Sequence, residues 1–174
     1  MMNGVKEKLV IKRMTRFVSL DTSTTASGCA LFVDGKLSET ALINLSGNKN
    51  TFKRMNLMIL EILKQLSKWK PDVIWIEHPQ GEGRNVLVVN MLSEILGAVR
   101  AYAVTKGVDY HEINPSEWRK YAGLTQGSKK REDLKKQSLQ YVREQFNIEC
   151  ETDDLADAIA IGCSVLNYYE NLEK

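Results

Sequence analysis

Five carboxylates stand where apolar elements begin or end. Asp21 closes the run Phe17-Val18-Ser19-Leu20, and Glu77 closes Val73-Ile74-Trp75-Ile76. Asp153, Asp154 and Asp157 open a segment that is otherwise nearly all apolar as far as Leu166. Asp154 and Asp157 are i, i+3 neighbours, so a helix there carries both on one face of its first turn. A carboxylate at the mouth of a buried element is costly unless something pairs with it. Each acid alone has an ordinary explanation. Asp21 can cap the turn of hydroxyl residues that follows it, Glu77 can pair with Arg84, and Asp153 and Asp154 can complement the positive end of a helix. As a set they point elsewhere, because strand C-termini in α/β sheets converge on one edge and sites form there. The sequence offers no matching cluster of Lys or Arg beside these acids. Oxygen ligands without a cationic partner select a hard cation, Mg2+ or Mn2+. Two such ions clamp the attacking and leaving oxygens of a phosphodiester.

Other chemistries fit poorly. Residues 123–130 read GLTQGSKK, with the wrong spacing and order for a phosphate-binding GxxxxGK loop, and Gly81-Glu82-Gly83 lacks the third glycine of a dinucleotide loop. Cys29, Cys150 and Cys163 show no CxxC spacing, and His78 and His111 are the only histidines, so no Cys/His zinc site is expected. The cysteines read as small buried hydrophobes in a reducing compartment. His78 directly follows Glu77 and is within reach of a substrate there, although such a residue is more often a satisfied loop histidine.

The elements that must hold these acids can be read from periodicity. Arg16 to Asp21 forms a strand that runs into a polar turn. Gly28 to Val33 and Leu37 to Leu45 are strands joined at Asp34-Gly35, a strong hairpin signal. Met55, Met58, Ile59, Ile62, Leu63, Leu66 and Trp69 recur at helical spacing until Pro71. Asp72 to Glu77 is an apolar strand, followed by a loop with Pro79, Gly81 and Gly83. A long helix from Val86 to Lys106 stops at Gly107, Val108 to Ile113 is a fifth strand, and Pro115 opens a short helix through Tyr121. A basic helix runs from Lys129 to Phe146 and a last helix from Thr152 to Tyr169. A hairpin meander followed by βαβ units predicts an α/β fold with a five-stranded mixed sheet and helices on both faces. No repeat or low-complexity stretch is present.

The 174 residues carry 24 Lys plus Arg against 22 Asp plus Glu, a formal charge of +2 that hides an uneven distribution. Residues 1–20 hold a net +4, residues 119–136 a net +5, and the remainder −7. Two basic segments on an acidic body can meet a polyanion, or can simply be solvated. Length and a 43% hydrophobic content suit one domain, residues 16–174, behind a flexible basic extension of residues 1–15. No apolar run approaches a membrane span and no secretory leader is evident, so a soluble cytoplasmic protein with no membrane partner is expected.

Taken together, SLDTSTTASGCA, VIWIEHPQ, INPSEW, a Lys-rich helix and DDLADAIAIG resemble the RuvC family of Holliday junction resolvases, over about Arg16 to Tyr169. The resemblance implies the ribonuclease H-like fold and a homodimer. It also implies a metal-dependent endodeoxyribonuclease that cuts opposing strands of a four-way DNA junction, with Mg2+ or Mn2+, two ions per site. On this resemblance Asp21, Glu77, Asp154 and Asp157 are the catalytic metal ligands, with Asp153 as an extra acid able to help. Lys129 and Lys130 fall where the family carries DNA-contacting lysines. The DNA surface is expected to include Arg131, Lys135, Lys136, Arg119, Lys120, Arg84 and Gln80. The helix around Leu92 to Val99 matches the dimer-forming helix, with Gly97 allowing close approach. Three departures stand out: Thr22 follows the first Asp where the family usually has Pro, His78-Pro79-Gln80 offers no aromatic residue after the glutamate, and the N-terminal extension is not typical of the family. Such divergence suits a phage or prophage member that accepts a broader range of branched DNA.

Three further readings compete. An actin-like ATPase or sugar kinase also opens with an acidic strand end and a Thr/Ser turn, but needs two such domains. A non-catalytic branched-DNA binding module is expected to have lost some of the acids. A ribonuclease of the same fold, acting on structured RNA, is compatible with the sequence.

Overall fold

The structure, a computed structural model, describes residues 15–80, 85–125 and 130–172. Residues 1–14, Arg84 and Lys129 lie outside the described residues, and with them most of the expected basic extension. Thr15, the last residue of that extension, is tied to the fold. Its hydroxyl donates to Asp72 at 3.0 Å and its carbonyl accepts from the Asp34 amide at 2.8 Å.

The elements run β1 (Arg16–Asp21), β2 (Ala26–Val33), β3 (Lys36–Asn44), α1 (Thr51–Trp69), β4 (Val73–Glu77), α2 (Val86–Lys106), β5 (Asp109–Ile113), α3 (Pro115–Tyr121), α4 (Arg131–Phe146) and α5 (Asp153–Leu172). The sheet order is β3-β2-β1-β4-β5. β1, β2 and β3 form the antiparallel meander, and β4 and β5 add in parallel beside β1. The hairpin at Asp34-Gly35 takes positive φ at both residues, 49° and 75°, as a tight turn of matching twist requires.

Successive strand residues face opposite sides, and two apolar layers result. Val18, Leu20, Cys29, Leu31, Ile74 and Ile76 pack against α1 and α2. Phe17, Ala30, Phe32, Val73 and Trp75 face α4 and α5. The expected mixed sheet with helices on both faces is the observed one.

Local chemistry sets the element ends. The Asn50 side chain accepts from the Lys53 amide at 2.8 Å, so α1 begins at Thr51, four residues before its apolar stripe. Lys70, left-handed at φ 49°, ends α1 just before Pro71. Helix α5 is buried continuously from Leu155 to Val165, without the stripe of a surface helix. It lies so close to the sheet that a Cβ on Gly162 would meet the Phe32 ring at 2.1 Å.

One expectation needs correction. Helix α2 is, with 21 residues, long and apolar enough to cross a membrane by length and composition. Its two acidic or basic residues before Lys106, Glu94 and Arg100, are widely spaced, so the apolar character survives without an uninterrupted run. Leu92, Ile95, Leu96, Val99 and Ala103 pack in the core under the sheet, while most of the helix is half-buried or exposed.

Candidate active site

β1 and β4 are parallel neighbours with Leu20 beside Ile76, so Asp21 and Glu77 end adjacent strands at the same edge of the sheet. Asp21 is also the register partner of Gly28 in β2. Gly28 has no side chain because none fits: a Cβ there would stand 2.0 Å from the Asp154 carbonyl oxygen. The first turn of α5 therefore rests on the sheet beside Asp21. One turn further on, the buried Ser19 hydroxyl donates to the Ala158 carbonyl at 2.7 Å and pins the helix there. These contacts bring Asp153, Asp154 and Asp157 to the edge that carries Asp21 and Glu77. The turn after β1 does not use Asp21. Ser23 closes it, accepting from the Thr25 and Ala26 amides.

The electrostatics register the crowding. Burial, then the charges of Glu77, Asp157, Asp154 and Asp153, push the Asp21 pKa well above 3.8. Burial and then Asp153 raise Asp154, opposed by a backbone hydrogen bond and by Lys135 and Arg131. Burial raises Asp157 to about 6 against the pull of Arg119 and a Ser138 hydrogen bond.

The sequence showed no cations beside the acids, and the structure corrects that. Arg119 Nη2 donates to both oxygens of Asp157 at 3.3 Å, and the two side chains are each only 13% exposed. Lys135 Nζ lies 2.6 Å from Asp153 Oδ2. Both partners come from other helices, 38 and 18 positions away in the chain. Arg119 is thus an internal partner of an acid, where an outward DNA contact was expected. Glu77 also has a partner that was not foreseen: the Trp118 indole Nε1–H donates to its Oε2 at 2.8 Å. Nothing local to INPSEW tells which acid the Trp118 N–H will reach.

Asp21 differs from its neighbours. The described residues give its carboxylate no cation, and every influence on it raises its pKa. As folded, no three His, Cys, Asp or Glu side chains among the described residues stand close enough together to hold a metal ion. The donor set is nevertheless all carboxylate oxygen, centred on a buried acid whose charged neighbours all carry its own sign, and its chemistry fits a hard divalent cation.

Of the expected DNA-contacting residues, Arg131 and Lys135 of α4 face the acids closely enough to lower the Asp154 pKa. Lys130, Lys136 and Lys120 are exposed nearby in sequence, with Lys120 Nζ 5.9 Å from the Tyr121 ring centroid, and Gln80 is exposed three residues after Glu77. Arg84 and Lys129 lie outside the described residues. His78 turns to Glu112, with Nδ1 2.6 Å from its Oε2, and Glu112 also accepts from Arg100 at 2.6 Å and Tyr110 at 2.9 Å. His78 is therefore the satisfied loop histidine.

Known structures share this architecture. Thermus thermophilus RuvC in complex with a Holliday junction superposes with a TM-score of 0.69 at 19% identity, covering 90% of this chain and 96% of that one. The Fowlpox virus resolvase, solved with Holliday junction DNA, gives 0.61 at 19% identity over 91% and 99%. The yeast mitochondrial Holliday junction resolvase gives 0.60 at 16% identity over 92% and 81%. No protein-family model and no curated protein sequence matches the chain. At these identities the likeness is one of fold, and the chain has the ribonuclease H-like fold of these resolvases.

Proposed function

We propose that this protein is a metal-dependent, structure-selective endodeoxyribonuclease that resolves four-way or related branched DNA junctions. The observation that carries the reading is the gathering of four carboxylates, from β4 and α5, at the sheet edge that carries Asp21, which has no cationic partner among the described residues. The fold is shared with three junction resolvases over about nine tenths of the chain. Asp21, Glu77 and Asp154 would hold divalent ions, Mg2+ or Mn2+, with Asp157 completing the set and Asp153 at its margin. Ions bound there supply a Lewis acid and an activated water for phosphodiester hydrolysis.

The chain's own residues do the rest. Arg131, Lys135 and Lys136 attract and seat the phosphate backbone, which the acids alone would repel. Trp118 and Arg119 hold two of the acids. Paired incision of a junction needs two sites, and a C2 dimer supplies them. Helix α2 offers the surface: Leu87, Gly97, Ala101 and Val104 lie outward at helical spacing, with Leu87 65% and Val104 76% exposed. Among the described residues nothing lies within 4 Å of a Cβ placed on Gly97, so a second helix can approach closely.

The test compares a synthetic four-way junction with linear duplex DNA and an RNA–DNA hybrid in Mg2+. Selective cutting of the junction supports the proposal, and selective cutting of the hybrid replaces it with a ribonuclease. One observation favours a second reading, a branched-DNA binding module without catalysis: Asp157 and Asp153 already have Arg119 and Lys135. Tight junction binding with no incision in either Mg2+ or Mn2+ would select that reading.

A further inference from the structure

Helix α3 places two consecutive side chains on two different acids. Trp118 is fully buried, yet its one polar atom reaches out to Glu77 Oε2 at 2.8 Å. Arg119 is anchored on every side: its guanidinium carbon lies 4.2 Å from the Trp118 ring centroid, Nη1 donates to Ser138 Oγ at 3.2 Å and to the Leu134 carbonyl at 3.4 Å, and Nη2 is shared between both Asp157 oxygens. Trp118 therefore supports Arg119 by stacking while it holds Glu77. The pair ties an acid of the sheet to an acid of α5 through one rigid helix, and α3 in turn is fixed to α5 by the Asn167 amide donating to the Tyr121 carbonyl at 3.1 Å.

We infer that Trp118 and Arg119 form a two-residue clip that orients Glu77 and Asp157 for divalent-ion binding. They are positioning residues, and the inference rests on the metal-nuclease reading above. The physical argument is orientation. A carboxylate that accepts a fixed N–H, on one oxygen as in Glu77 or on both as in Asp157, has a restricted rotation, so its remaining lone pairs face a fixed direction. Groups that orient metal ligands are typically worth about 10–100-fold in metal affinity. A structural ion pair or core tryptophan has no such effect on a ligand it does not touch.

The molecule carries its own control. Trp69 is equally buried and also donates its indole N–H to a carboxylate, Glu39 at 3.0 Å, but that acid lies on β3, outside the acidic cluster. Trp118→Phe and Trp69→Phe each remove one indole N–H bond and a similar volume. Mn2+ affinity, read by electron paramagnetic resonance of the free ion, is measured on both variants, on Arg119→Lys, on the wild type and on Glu77→Gln. The wild type is expected to bind Mn2+ more tightly than Glu77→Gln. Trp118→Phe and Arg119→Lys should each lose about tenfold or more in affinity, while Trp69→Phe keeps the wild-type value. Junction cutting by Trp118→Phe should recover at high Mn2+, since the chemistry of the bound site is intact. If Trp118→Phe and Arg119→Lys bind Mn2+ as the wild type and Trp69→Phe do, the clip is wrong and the nuclease reading stands. If the wild type binds no better than Glu77→Gln, both fall. Arg119→Lys keeps the test decisive should Trp118→Phe fail to fold.

Discussion

The two ends of strands β1 and β4 carry the same kinds of residue and treat them in opposite ways. Where the strands open, polar groups are answered locally: Arg16 Nε donates to the Trp69 carbonyl at 2.5 Å, Asp72 accepts from the Thr15 hydroxyl, and the Asp72 amide donates to the Arg16 carbonyl at 2.7 Å. Where they close, Asp21 and Glu77 meet three more acids, and Asp21 is raised first by burial and then by the repulsion of all four. One end spends its polar groups on the fold. The other keeps charge that the fold itself does not neutralise, which lowers stability and is tolerated where a ligand uses it.

The sharpest way to break this comparison is to exchange the acids. Asp21→Asn, Glu77→Gln and Asp154→Asn should each reduce junction cutting to background, a loss beyond the roughly 10–100-fold of an outer partner. Junction affinity should hold, because it comes mainly from phosphate contacts. Asp72→Asn, at the opposite end, should cut at the wild-type rate. Quantitative cleavage assays with gel-shift controls read both, and an active Asp154→Asn would remove that residue from the set.

Next in size is the packing that brings α5 to the sheet. Gly28→Ala puts a methyl group against the Asp154 carbonyl, so it should cost about 1–3 kcal/mol in urea unfolding and displace the acids, abolishing cutting. Gly97→Ala meets nothing among the described residues and should stabilise α2 by about 0.5–1 kcal/mol. If α2 is the dimer helix, the same change should lower the mass seen by light scattering at limiting concentration.

The basic rim gives a smaller effect. Lys136→Ala should weaken binding to all branched substrates about equally and reduce the salt slope by about one unit. Lys135→Ala should weaken it further, since it also releases Asp153 from its partner.

The smallest effect separates the two ends by pH. Asp21 titrates higher in the folded than in the unfolded protein, so its contribution to stability is fully present below about 3.8 and is lost as pH rises through the folded value. Asp157, raised to about 6, behaves in the same direction. In the metal-free protein, Asp21→Asn should therefore unfold like the wild type near pH 4 and increasingly later than it toward pH 7. Added Mg2+ should narrow the gap by stabilising the wild type alone. A gap independent of pH would deny that charge is stored at this edge.

Much of this was legible in the residues. Strand ends, the Asp34-Gly35 hairpin, Gly107 as a helix stop and the i, i+3 acids are local signals, and the structure places them as expected. What stayed hidden was long-range. The Arg119–Asp157 and Lys135–Asp153 pairs join different helices, and no spacing encodes them. The Trp118 N–H looks like any core indole until α3 is set beside β4. The early start of α1 did have a signal, Asn50 as N-cap, which an argument from apolar periodicity passes over. The membrane-span length of α2 has no unbroken apolar run to signal it, because composition over a window decides it.

The most direct test maps incisions on a synthetic four-way junction made from four labelled strands, with wild type and Asp21→Asn side by side in Mg2+. Paired nicks on opposing strands are expected from the wild type, none on a linear duplex of the same sequence, and none on any strand with Asp21→Asn. Wild-type protein that binds the junction but leaves all four strands intact, or Asp21→Asn that nicks them equally well, would contradict that expectation.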